Sequence, residues 1–361
     1  FVSFDDGKSW KSFQLNLPIS SIRDLHVRDN DLIAATHGRS FWMIDDLTPL
    51  HQIDESLSLE NFHLYKPDIA YRFNQSKEND DTNYKLDGEN HPNGAILHFY
   101  IKKLNEKDKI SIEIKEKDGT LIQRFSNDAI LNNLNPESDL PLKVNSGSNR
   151  LVWNMRYPGF KEFEDMVFYS SPNVGPKVVP GDYIVSLNYN GDKKERNLQI
   201  VKDPRLKNSD QDYKDQFEFL IRVRDQVSRA NSTIIKIRKL RKDLKYLKDK
   251  EGISFKIKDY INQFEKELNQ IENNIHMTKN KSRQDPLNYG IRINNRIAFL
   301  LADSQRGDYP PTDQAKAFFK DVLLELDEQI KVLEDLLEVN ISKLNEIVSN
   351  NEIEIFSMKN P

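Results

Sequence analysis

The chain has 361 residues, enough for two or three domains, and its 53 basic residues nearly balance 57 acidic ones, which leaves a formal charge of −4. That balance gives no global pull toward nucleic acid or an anionic membrane. The lack of cysteine excludes disulfides, thiolate metal sites and cysteine nucleophiles, and no apolar run reaches the ~18 residues of a membrane-spanning helix.

Only 37% of the chain is hydrophobic and 30% is charged, so its apolar residues must be concentrated in definite elements. Residues 1 to 52 read as β structure. Asp5-Asp6-Gly7 between Phe4 and Trp10 is a turn signal, because Gly tolerates the left-handed conformation and Asp side chains bond nearby backbone N–H groups. Strands are expected at IRDLHV (22–27), DLIAAT (31–36) and SFWMID (40–45), separated by DND and HGR turns. With the opening hairpin this makes four short strands, the content of one propeller blade.

The order Ser3, Asp5, Gly7, Ser9, Trp10 fits S-x-D-x-G-x-[ST]-W. It resembles the Asp-box repeat of sialidase-type and sortilin-type β-propellers. That resemblance implies a scaffold turn in which Ser3 and Asp5 tie the hairpin, Gly7 makes the bend and Trp10 packs into the blade. DLIAATHGRSFWMIDDLTPL in turn resembles the last blade of bacterial sortilin-like, Asp-box (BNR) repeat proteins usually labelled glycosyl hydrolases. A propeller needs ~4 to 8 blades and one box is present here. The expectation is therefore that residues 1–52 are the C-terminal end of a propeller, with the rest upstream in a longer protein. The absence of an initiator methionine accords with it.

From 60 to 203 the strands lengthen. AILHFYIK (95–102), KISIEIKEKDGTLIQRF with its Asp118-Gly119 turn, NRLVWNMRY (149–157) and GDYIVSLNYNGDKKERNLQIV all alternate. Tyr183, Val185, Leu187 and Tyr189 share one face, and Asn190-Gly191 is a hairpin turn. This spacing predicts an antiparallel immunoglobulin-like or fibronectin-like β-sandwich. The stretch from Pro158 to Val179 is too long for a plain connection and is expected to cover the sandwich or bridge to a neighbour.

Beyond Lys202-Asp203-Pro204 the period changes to three and four, which predicts a helical bundle or long helical hairpin over 205–361. A stripe from Leu220 to Leu247 follows the capping-box pair Ser209 and Asp212. A second stripe runs from Ile257 to Ile275. Asp285-Pro286 can start a third helix carrying Leu287, Ile291, Ile297 and Leu301, and a fourth begins near Thr312 and runs through Leu337. SRQDPLNYGIRINNRIAFLL and GDYPPTDQA are similar to the C-terminal part of the same propeller family. The expected class is thus multidomain α+β: blade, sandwich, bundle.

Each candidate for chemistry stands beside a plainer reading. Asp45-Asp46 could offer two carboxylates for glycoside cleavage, but neighbours in a strand point to opposite faces. His37-Gly38-Arg39 places an imidazole and a guanidinium on a loop, where Arg39 could hold a carboxylate bidentately; its default is a hydrogen-bonded turn. The run IRKLRKDLKYLKDK (237–250) has seven Lys or Arg and two Asp, yet its interleaved leucines mark a bundle helix with a solvated face. Trp42, Trp153, Tyr157, Tyr169, Tyr183 and Tyr189 could stack on sugars, though Trp153 alternates as a core residue. His26, His51, His63, His91, His98 and His276 lack metal-ligand spacing, and no phosphate loop, HExxH, EF-hand or G-x-S-x-G occurs. No metal or cofactor is expected.

The resemblance implies an extracytoplasmic parent acting on a polysaccharide or glycoconjugate, with this chain as scaffold and accessory domains and without turnover of its own. The alternative is a non-catalytic sortilin-like module that binds protein or peptide. Expected partners are a carbohydrate or peptide ligand and the remaining propeller, with neither nucleic acid nor a membrane span.

Overall fold

The computed structural model describes residues 1–73, 91–128, 139–251 and 253–349, so parts of the expected sandwich lie outside the described residues. The protein is a mixed α+β chain. It divides into two compact units, Phe1–Tyr157 with Lys177–Lys207, and Pro158–Pro176 with Asn208–Pro361.

The strands of the first unit are β1 (Ile22–Arg28), β2 (Asp31–Thr36), β3 (Phe41–Ile44), β4 (Phe62–Leu64), β5 (Ala70–Arg72), β6 (Ala95–Ile101), β7 (Ile110–Glu116), β8 (Leu121–Ser126), β9 (Asp139–Pro141), β10 (Gly147–Trp153), β11 (Gly181–Tyr189) and β12 (Asp192–Lys202). Strands β1, β2 and β3 form an antiparallel meander. The opening hairpin adds a single bridge, Val2 to Lys11, rather than a fourth strand. Its side chains hold it instead of a ladder.

Two further sheets, β10-β6-β4 and β5-β12-β11-β7-β8-β9, share one core. Along β6 every second residue is buried, and so Leu97, Phe99 and Ile101 join Ile112 and Ile114 of β7 and Val185 and Leu187 of β11. Asn190 and Gly191, both at positive φ, make the two-residue turn between β11 and β12. The pairing is not antiparallel throughout: β5 runs parallel to β12 and β9 parallel to β8. A parallel neighbour requires a crossover, and β5 lies far upstream of β12, so alternation alone gave no sign of that pairing.

The second unit holds helices α1 (Asp210–Lys248), α2 (Phe255–Ile275), α3 (Pro286–Tyr289), α4 (Ile293–Asp303) and α5 (Asp313–Ser349). Helix α1 starts at a complete capping box. Ser209 Oγ accepts from the Asp212 N–H, and Asp212 Oδ2 accepts from the Ser209 N–H. The expected third helix is in fact two. Gly290, at φ 85°, ends α3 after four residues, and Leu287 and Ile291 are exposed while Ile297 and Leu301 are buried. Residues 158–176 pack with the helices, and Phe160 and Phe168 enter their core. Buried asparagines hold this segment: Asn231 Nδ2 donates to the Lys161 carbonyl at 2.7 Å, and Asn295 Oδ1 accepts from the Tyr169 N–H at 2.8 Å.

Candidate functional site

The opening hairpin is closed by its own side chains. Ser3 Oγ donates to Asp5 Oδ1 at 2.8 Å and accepts from the Gly7 N–H at 2.7 Å. Asp5 accepts from the Ser9 N–H at 2.9 Å and from the Ser9 hydroxyl at 2.6 Å. These bonds, the Ser9 hydroxyl first, hold the exposed Asp5 carboxyl down to about 2. A carboxylate so occupied is a poor acid or base. Trp10 donates its indole N–H to the Gly7 carbonyl at 3.1 Å and stays 62% exposed. It therefore lies over the turn instead of entering a core.

The loop between β2 and β3 is organised through its backbone. Gly38 and Ser40 sit at positive φ, Thr36 Oγ1 donates to the Ser40 carbonyl and accepts from the Arg39 N–H, and Trp42 Nε1 donates to the Arg39 carbonyl. The side chains of His37 and Arg39 are exposed, and among the described residues neither makes a hydrogen bond or ion pair. They remain available to a ligand, with nothing that fixes their direction.

A cleft of about 520 Å³ opens in the first unit. It is lined by Asp31, Asp45, Asp46, Asp68, His91 and Asp203, among others. Several of these carboxylates are already committed. Asp46, at φ 151°, lies 3.0 Å from His98 Nε2 and accepts from the Thr48 N–H at 2.9 Å. Burial pushes its pKa up, but His98 and Thr48 outweigh burial and hold it below the ordinary value. Asp68 accepts from the Asn30 amide, and Asp203 from Arg205. Asp31 goes the other way: burial, then the nearby Asp45 charge, raise it. The side chains of Asp31 and Asp45 make no hydrogen bond or ion pair among the described residues.

No family model, curated protein or solved structure matches the chain. What the site can do is therefore argued from its own groups. Among the described residues no three His, Cys, Asp or Glu side chains are grouped to hold a metal ion. Asp46 is engaged by His98 and Thr48, whereas the Asp45 side chain has no hydrogen bond or ion pair among the described residues, so the two carboxylates stand in different environments. The cleft sets six aspartates beside Arg205 and the apolar side chains of Ile69, Tyr71, Phe73 and Ile96. His98 does not line the cleft but reaches its Asp46, fifty-two positions away, because β6 brings it there.

The remaining sequence candidates divide between core and surface. Trp153 and Tyr183 are buried in the sheet core with ring centroids 6.2 Å apart, and Tyr157 donates to Glu116. In the basic run, Leu240, Leu244 and Leu247 are buried. Arg238 and Arg241 bond the buried Glu272 of α2. Sequence reasoning missed Glu272, His276 and Asn294 as interior groups, because each reads as an ordinary polar position on a helix or loop. Among the described residues no helix is long and apolar enough to cross a membrane.

Proposed function

We propose that this chain is the scaffold and accessory portion of an extracytoplasmic Asp-box propeller protein whose parent acts on a polysaccharide or glycoconjugate. One observation carries the reading: the sheet that follows the closed Asp box carries apolar residues on both faces. Register puts Leu25, Val27, Leu32, Ala34, Trp42 and Ile44 on one face, and Ile33, Ala35, Phe41 and Met43 of β2 and β3, beside Asp24 and His26 of β1, on the other. Phe41 is 75% and Leu25 60% exposed. A sheet in a sandwich needs only one apolar face, whereas a propeller blade is covered by a neighbour on each side. On this reading the missing blades belong to chain outside these 361 residues.

The two larger sheets fit an immunoglobulin-like accessory domain. The Tyr183 hydroxyl donates to the Val179 carbonyl at 2.5 Å, in the manner of a tyrosine corner, and Trp153 is the buried tryptophan packed beside it. Catalysis would belong to the parent, because a propeller site is assembled from loops of several blades and Asp46 here is already engaged by His98 and Thr48. The deciding experiment compares the 361-residue chain with a longer protein that includes the preceding sequence, on a panel of aryl glycosides and sialosides at equal folded concentration. Turnover by the longer protein alone is expected. Turnover by the 361-residue chain that vanished on Asp45→Asn, Asp46→Asn or Arg39→Ala would overturn the scaffold assignment. Silence from both would favour the non-catalytic peptide- or protein-binding alternative.

A further inference from the structure

The basic run at 237–250 contributes its leucines to the helical core, and its cations have a second use. Arg238, Arg241, Lys242 and Lys245 of α1 and Lys281, which follows α2, line a cleft of about 470 Å³ in the helical unit. Two of these cations are fixed. Glu272, whose side chain is 2% exposed, accepts from Arg238 Nε at 2.7 Å and from Arg241 Nη1 at 2.8 Å. One carboxylate neutralises one guanidinium, so the trio keeps a positive charge. Arg238 is further anchored by donating Nη1 to the Glu164 carbonyl at 2.7 Å, with its guanidinium 4.7 Å from the centre of the Phe163 ring.

A guanidinium has five N–H donors, and neither arginine spends all of them on these partners. Both remain about one-third exposed. Of the acids lining the cleft, Glu272 is consumed by the arginines and Glu265 by Lys248 at 2.8 Å, which leaves Asp165 against Lys242, Lys245 and Lys281. These three lysines have no ion pair among the described residues. Asn280 adds an independent feature, since it is more than nine-tenths buried in the cleft wall and its carboxamide oxygen has no partner among the described residues. Rotation of that amide exchanges the oxygen for two N–H donors.

We propose that this cleft binds a tetrahedral oxyanion, phosphate or sulfate, either free or as the ester group of a small organic ligand. Donors from two pre-positioned arginines and three lysines without an ion pair among the described residues suit an anion with three or four oxygens better than the two of a carboxylate. The volume exceeds that of a bare ion and leaves room for an attached sugar-sized group. The inference is independent of the propeller reading, since it uses the helical unit alone.

The test is calorimetric titration of the 361-residue chain with inorganic phosphate, inorganic sulfate, glucose 6-phosphate, glucose 6-sulfate and plain glucose at constant ionic strength. Saturable binding of at least one of the four anions is expected, with none for glucose. The Lys242→Gln/Lys245→Gln double variant, which leaves the Glu272 pairs intact, should weaken that binding at least about tenfold and melt at the wild-type temperature without ligand. Tighter binding of the esters than of the inorganic ions assigns the site to an ester, and equal binding assigns it to the free anion. No saturable binding, or binding indifferent to the double variant, overturns the proposal. So does a short DNA duplex that binds more tightly than all four anions through the same lysines, since the surface would then be a polyanion face.

Discussion

Acidification should weaken the helical unit through one side chain, His276. The imidazole is 2% exposed, and burial, followed by the charge of Arg238, lowers it from its ordinary 6.5 to about 4. The hydrogen bond with Asn294, whose Nδ2 lies 3.3 Å from the ring Nδ1, and then the charge of Glu272 pull more weakly the other way. The rings of Phe163 and Phe168 close the site at 4.9 and 6.2 Å. A base whose folded pKa lies below its unfolded one takes up its proton first in the unfolded chain. Its contribution is therefore complete above 6.5 and is lost as the pH falls toward about 4. Between about pH 7 and about pH 4.5 the loss is on the order of 2 to 3 kcal/mol. Urea unfolding followed by helical circular dichroism, at steps across that range, should show wild type losing this increment relative to His276→Gln. The comparison cancels carboxylates that titrate in both proteins. A stability gap between the two that stayed constant with pH would refute the reasoning, because it would mean that His276 charges as readily in the fold as in the unfolded chain.

Two further substitutions test the interior charge and the opening turn. Glu272→Gln removes the carboxylate shared by Arg238 and Arg241 and should cost about 2 to 3 kcal/mol in the same unfolding assay, at the low end for a broken buried pair because both arginines are partly solvated; a loss near zero would mean that water already carries those guanidiniums. Asp5→Ala should accelerate amide hydrogen exchange at Ser9, whose N–H bonds Asp5, and leave exchange in the β6–β10 ladder unchanged; unaltered exchange at Ser9 would show that the turn holds without its carboxylate.

Much of this architecture is legible where burial repeats locally. The alternation of β6 and β7, the positive-φ turn at Asn190-Gly191 and the stripe of α1 behind its Ser209 capping box each follow from residues within a few positions of one another. The break at Gly290 was harder to read, because Leu287 and Ile291 keep the same four-residue step as Ile297 and Leu301, and only the gap of six between the two pairs departs from it. A glycine inside a helical pattern marks a stop only when the backbone there takes positive φ. The Asp box was legible residue by residue, since its bonds span four positions at most.

The amino-acid sequence by itself determined the longer strands and helices, their order and their apolar sides, because these depend on rotamer, turn and solvation preferences within one or two turns of chain; the three-residue strands β4, β5 and β9 and the division of the third helix left no such trace. Tertiary structure alone decided what the polar interior does. Asn231 and Asn295 hold the backbone of the 158–176 segment, Glu272 gathers two arginines, and Asp46 finds His98, all across gaps of thirty residues or more. It also decided that β5 and β9 pair in parallel at the sheet edges. The reason is physical: apolar burial is additive and leaves a periodic trace, whereas a buried polar group is tolerable only when a particular partner arrives at hydrogen-bonding distance. No periodicity along the chain encodes that arrival.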